Sequence, residues 1–337
     1  MLMMVNLASH ASDRPESAEA SAISSSAFSA RRGHQVVAFK NRLWLIGGFD
    51  NDGRYRNDVW FSSNGITWAQ PAIRAAFSSR YAAQVVVFKD RLWLIGGLDD
   101  SGNGRNDVWS SSDGIIWTQQ AASAAFSGRF NHQVVVYDDQ LWLIGGNDGS
   151  NRNDVWSSSD GLTWTQRTAG AAFTGRYDHQ VAVYGNQLWL IGGHDGNNKN
   201  DVWSSSDGST WTQRTAGAAF TGRYDHQVVV YRNQLWLIGG ADGGYENDVW
   251  SSSDGITWTR QITNAAFSAR RDHAIVVFDH RMWMVGGYDG SYKNDVWTSS
   301  DGVLWSRQIA SAALAARVFD HNRNRLSELF SKNHYNN

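Results

Sequence analysis

Three kinds of residue in this sequence have the chemistry and spacing to act on a ligand. An arginine recurs at positions 31, 80, 129, 176, 223 and 270. Guanidiniums gathered near one another could grip a carboxylate, sulfate or phosphate, which makes Arg176, Arg223 and Arg270 ligand candidates. An Asn-Asp pair such as Asn200 and Asp201 also recurs and could neutralise each arginine, so a tie between neighbouring units is the simpler reading. Three residues after the arginine stands His34, His132, His179, His226 or His273, with Ala83 once in its place. Asp178/His179, Asp225/His226 and Asp272/His273 are metal-ligand types, but symmetric copies are expected to lie too far apart to share an ion. No metal and no cofactor is therefore expected. Glu246 is the one glutamate inside the repeated region, and its equivalents Arg56, Arg105, Arg152, Lys199 and Lys293 are all basic. A lone carboxylate among cations is what a sugar-transforming acid/base site uses; a solvated loop residue is the plainer alternative.

These residues belong to a repeat. The arginines are spaced 49, 49, 47, 47 and 47 residues apart, and all 18 tryptophans fall in register, three per unit. Six units start near residues 27, 76, 125, 172, 219 and 266. In the fourth, His179–Tyr184 is β-branched and bounded by polar residues, and Gly185-Asn186 supplies a tight hairpin. The next strand, QLWLIGG, does not alternate apolar with polar: Leu188 and Leu190 point one way, Trp189 and Ile191 the other. Both faces must then be buried, as happens when a sheet is covered by neighbours on both sides. NDVWSSS forms a third, more polar strand, and a DGxxW turn leads into a fourth. The expected fold is all-β, a six-bladed β-propeller of four-stranded antiparallel blades over residues 27–312. Residues 1–26 are read as a disordered tail, and 313–337 as a degenerate partial repeat or tail.

Strand direction puts the links between units and the loops between second and third strands on one face. That face is where the units differ. The residue after Gly-Gly is Phe49, Leu98, Asn147, His194, Ala241 or Tyr288, and the following loop adds Tyr55, Tyr245 and Tyr292. Differing exposed residues on a shared scaffold are where specificity resides. Tyr55, His194, Tyr245, Glu246, Tyr288 and Tyr292 thus join the three arginines as candidate ligand contacts.

Composition excludes several classes. A net charge of -2 without any Lys/Arg run gives no pull toward nucleic acid. The absence of cysteine excludes disulfides and thiolate chemistry. No apolar run reaches the ~18 residues of a membrane span. The first 26 residues lack the basic and apolar regions of a signal peptide, although richness in Trp, Ser, Asn and Gly suits a bacterial secreted or surface protein.

RYDHQVVVY, LWLIGG, NDVW and the closing Trp resemble the Kelch repeat, and the resemblance extends over roughly residues 27–312. It implies a propeller and leaves activity open, because such propellers include protein-binding adaptors, a copper oxidase and a sialic-acid mutarotase. The oxidase's Tyr–Cys crosslink has no counterpart in a chain without cysteine. SSSDGITW is similar to the Asp-box of sialidase-type propellers, but Ser253 stands at the motif's acid position and Asp254 follows it, so it is read as a turn. The leading expectation is a non-catalytic scaffold, monomeric, binding a protein or glycan through one face. The alternative is a carbohydrate-active enzyme resembling the mutarotase, with Glu246 as its acid/base.

Overall fold

The computed structural model describes residues 28–71 and 74–308; the expectations for 1–26 and 313–337 concern residues outside this range. No helix occurs among the described residues. Blade 4 shows the plan: Gln180–Tyr184, Gln187–His194, Asn198–Ser205 and Thr212–Thr215 pair as a simple antiparallel meander. The hairpins turn where the sequence supplies residues that accept a left-handed backbone, such as Gly185 and Asn186 at φ 55°. Blade 1 departs slightly. Its three strands Gln35–Phe39, Arg42–Ile46 and Val59–Ser62 are completed by a single bridge between Phe61 and Ala69.

The second strand is dry on both sides, as its pattern requires: Leu188, Trp189, Leu190 and Ile191 are all buried. The core is correspondingly divided into six clusters, one at each seam between blades. Trp142 and Ile144 of blade 3 pack with Val181, Leu188 and Leu190 of blade 4. At the last seam Trp283 and Val285 of blade 6 pack with Leu43 and Leu45 of blade 1. The wheel is closed.

Each second-strand indole also lies on the glycine of the next blade's turn into its fourth strand, Asp-Gly in blades 2 to 6 and Asn-Gly in blade 1. A Cβ on Gly208 would stand 2.1 Å from the Trp142 ring, and Gly65 bears the same relation to Trp283 across the closing seam. Only glycine leaves room there. The turn is set by its aspartate: Asp207 Oδ1 accepts bonds from the amides of Ser209 and Thr210 at 2.8 and 2.7 Å.

Closure needs no strand exchanged between the chain ends. The segment from Phe28 does for blades 6 and 1 what the links do elsewhere: Asn294 Nδ2 donates to the Phe28 carbonyl, as Asn247 does to Phe267. Six backbone bonds then run around the axis, each blade's amide donating to the carbonyl of the preceding blade. The series Gly33, Ala82, Asn131, Asp178, Asp225 and Asp272 returns to its start when Gly33 N–H donates to Asp272 O at 3.1 Å.

Candidate functional site

Arg176, Arg223 and Arg270 are buried within their own blades, each paired with an aspartate of the same unit. Arg176 is fully buried. Its Nη1 and Nη2 donate to the two oxygens of Asp201 at 2.6 and 2.9 Å, and further bonds run to Gly192 O, Thr174 O and Thr174 Oγ1. Its backbone meanwhile bonds to Arg152 and Gly146 of the preceding blade. Arg223 with Asp248 and Arg270 with Asp295 repeat the arrangement. All five donors of each guanidinium are engaged, which leaves none for a ligand.

The residues that meet at the axis are the six of the backbone ring. All have φ between 52° and 58°, because the chain must turn sharply where it comes closest to the axis. Their side chains differ: Gly, Ala and Asn in blades 1 to 3, then Asp178, Asp225 and Asp272 in blades 4 to 6. The sequence reading kept symmetric copies apart. At the innermost turn the circumference shrinks until neighbouring backbones bond, and the three acids share one cavity with Gln35, Gln84, Gln133, Gln180 and Gln227. No group of three His, Cys, Asp or Glu among the described residues is arranged to hold a metal ion.

Above the acids lies an open depression of about 460 Å³ lined by Arg32, Tyr81, Tyr177, His194, Tyr224 and Arg271, among others. Arg32 reaches Asp272 at 3.5 Å and Arg271 reaches Asp225 at 3.7 Å. Each guanidinium sits among rings. Arg32 lies 5.2 to 6.0 Å from the centroids of Tyr288, Tyr81, Tyr292 and Phe49. Arg271 lies 5.6 to 6.0 Å from Tyr224, Tyr245 and Tyr288. Tyr81 crosses the axis above Gly33, where any Cβ would strike its ring, and donates its hydroxyl to Asp272 at 3.2 Å.

Several residues expected from the loops join this belt. Tyr55 packs on Phe49 and Tyr81, Phe49 on Tyr292, Tyr292 on Tyr288, and Tyr288 on Tyr245. His194 stands edge-on to both Tyr177 and Tyr224, and its Nδ1 is 2.9 Å from Asn198 Oδ1. The belt is a horseshoe through blades 2, 1, 6, 5 and 4, bridged by Arg271 between Tyr245 and Tyr224, and among the described residues Phe130 and Asn147 of blade 3 make no ring contact with it.

Glu246 stands apart from the residues lining the depression. In the other blades the residue at its position is a cation paired with an aspartate, as in Arg152–Asp148 at 2.7 Å and Lys199–Asp195 at 2.8 Å. In blade 5 two carboxyls meet. Burial and the bond to Asp242 push Glu246 up to about 7.

Sequence reasoning missed Arg32, Arg271, Tyr81, Tyr177, Tyr224 and the joint position of the three acids. The signal was present in the residue after each recurrent arginine, which is Arg32, Tyr81, Phe130, Tyr177, Tyr224 or Arg271, and in the one after that.

A closed wheel of six antiparallel blades with an asymmetric, ring-lined mouth on one face is the architecture of a β-propeller. The chain matches the family model described as the KLHDC2/KLHL20/DRC7 Kelch-repeats domain over residues 2–169 and 131–308, and it belongs to the Kelch-repeat family. No curated protein matches it.

Proposed function

We propose that this chain is a non-catalytic binding module that takes a protein or glycan partner at the axial mouth. The observation that carries this is the depression of about 460 Å³, where symmetry is broken by two arginines, three acids and a horseshoe of aromatic rings. The opposite face repeats one DG turn from blade to blade, so it offers a partner little to single out. Kelch propellers commonly serve as protein-interaction scaffolds, which supports the reading. Aromatic rings and arginine also supply large contact area at modest entropic cost, as binding hot spots require. The test is capture of partners from the host and from a glycan array, using the chain and a Tyr245→Ala/Tyr288→Ala variant. The variant should lose the partner while keeping its melting temperature within a few degrees; equal capture by both would refute the proposal.

A second reading keeps Glu246 as acid/base of a sugar-transforming enzyme. A carboxyl raised to about 7 lies in the useful range for proton transfer at neutral pH. Proton NMR of sialic-acid anomer exchange decides it, since equal rates for the chain and Glu246→Gln eliminate this role.

A further inference from the structure

The mouth repeats one motif three times and completes it twice. Asp272 of blade 6 is served by Arg32 of blade 1, and Asp225 of blade 5 by Arg271 of blade 6. In both cases the guanidinium comes from the next blade, one residue ahead of its own axial residue, and lies among aromatic rings. By the same rule Asp178 of blade 4 should be served from position 224, but that residue is Tyr224. Among the described residues Asp178 has no ion-pair partner. Its carboxyl stands near that of Asp225, and burial together with the neighbouring carboxylate charges holds both above the usual carboxylate range. Three carboxyls thus face two guanidiniums.

The third seat is otherwise complete. Asp178 lies in the depression with Tyr177, Tyr224 and His194, and these rings touch edge to face. A cation over tyrosine faces and against a desolvated carboxylate gains from both.

We infer that the mouth recognises a cationic side chain of a polypeptide partner, a lysine ammonium or arginine guanidinium, which sits on Asp178 in the place that Arg32 and Arg271 take at the other two acids. The inference rests on the mouth being the binding site and names what is bound there. The groups facing Asp178 are Asp225, Asp272, Arg32, Arg271, Tyr81, Tyr177 and Tyr224. Burial and the Asp272 charge push Asp178 up to about 8. Cation binding must therefore release close to one proton at neutral pH and tighten by about tenfold per pH unit between pH 6 and 8.

The probes are N-acetyl-arginine methylamide and N-acetyl-lysine methylamide, with the norleucine and glutamate analogues as neutral and anionic controls. They are titrated calorimetrically in two buffers of different ionisation enthalpy. The cations should bind with proton release and the controls should not. Asp178→Asn should abolish the proton release and weaken binding at pH 8 at least tenfold. Tyr224→Arg, which supplies the third guanidinium within the chain, should block it. Tighter binding of the glutamate analogue, or no effect of either variant, overturns the inference. A displayed peptide library separates the two levels. Peptides that lose binding in Tyr245→Ala/Tyr288→Ala but carry no essential basic residue would sink the cation and keep the mouth. Peptides indifferent to that variant and to Tyr224→Arg would sink the mouth as well.

Discussion

Five histidines are buried at the seams between blades, and replacing one should change how stability responds to acid. His179 is fully enclosed, and burial together with the Arg176 charge pushes it down to about 3. A histidine with a depressed folded pKa contributes its full stability above the unfolded value near 6.5. That contribution drains as pH falls toward the folded value, because the unfolded chain takes up the proton first. Between pH 8 and pH 5 the loss is about 2 kcal/mol for one such group. His179→Ala should itself cost about 2–3 kcal/mol at pH 8 by emptying a packed site. Blade 2 already carries Ala83 at this position, so the fold tolerates the exchange. The variant should then nearly match the parent at pH 5. Asp178 works in the opposite sense, since a raised carboxyl favours the folded state as pH falls, but it is common to both proteins and cancels in the difference. Urea unfolding followed by tryptophan fluorescence at pH 8, 6.5 and 5 gives that difference. A gap between parent and variant that stays constant across this range would refute the assignment of acid sensitivity to His179.

Other consequences are open to similar measurement. Gly208→Ala would drive a Cβ to 2.1 Å from the Trp142 ring and should cost about 2–4 kcal/mol, whereas Gly149→Ala, with open space and φ 107°, should cost about 1 kcal/mol of backbone strain. Equal melting temperatures for the two would contradict the seam geometry. Asp201→Asn leaves the buried Arg176 without its counter-charge and should lose about 3–5 kcal/mol, against almost nothing for the exposed Asp52→Asn, both read by denaturant unfolding. Glu246→Lys restores the cation found in the other blades beside Asp242. Because Glu246 is raised to about 7, its cost to the fold grows as pH rises from about 4.5 toward that value, so the variant's gain in melting temperature should be larger at pH 8 than at pH 5. A gain that is larger at pH 5 would show that the two carboxyls do not interact.

The fold was legible because every unit says the same thing. Leu188, Trp189, Leu190 and Ile191 have no polar face to offer water, and the equivalent strands repeat that demand around the wheel. The glycine of each turn into the fourth strand and the Arg–Asp pair in each blade are likewise one solution written six times. Repetition made a structural role for Arg176, Arg223 and Arg270 the simpler reading although they were also kept as ligand candidates, and their guanidiniums are each engaged by an aspartate of their own blade. The aromatic part of the mouth was legible too, since Tyr55, His194, Tyr245, Tyr288 and Tyr292 differ between units on the loop face. What escaped was adjacency across the axis. Tyr81 and Asp272 are 191 residues apart, and no spacing along the chain announces their bond.

The same geometry explains why the asymmetry between units is felt most strongly at the mouth. Around the rim, equivalent positions are separated by the width of a blade, so a change in one unit acts alone. At the axis the six units come within hydrogen-bonding distance, and a substitution in one is felt by its neighbours at once. Arginine at 32 and 271, where three other units carry tyrosine, and aspartate at 178, 225 and 272 therefore create one charged cavity from single positions contributed by four blades. Each departure is unremarkable within its own unit. Together they break the sixfold equality of the wheel at the one place where a ligand could sense all the blades together.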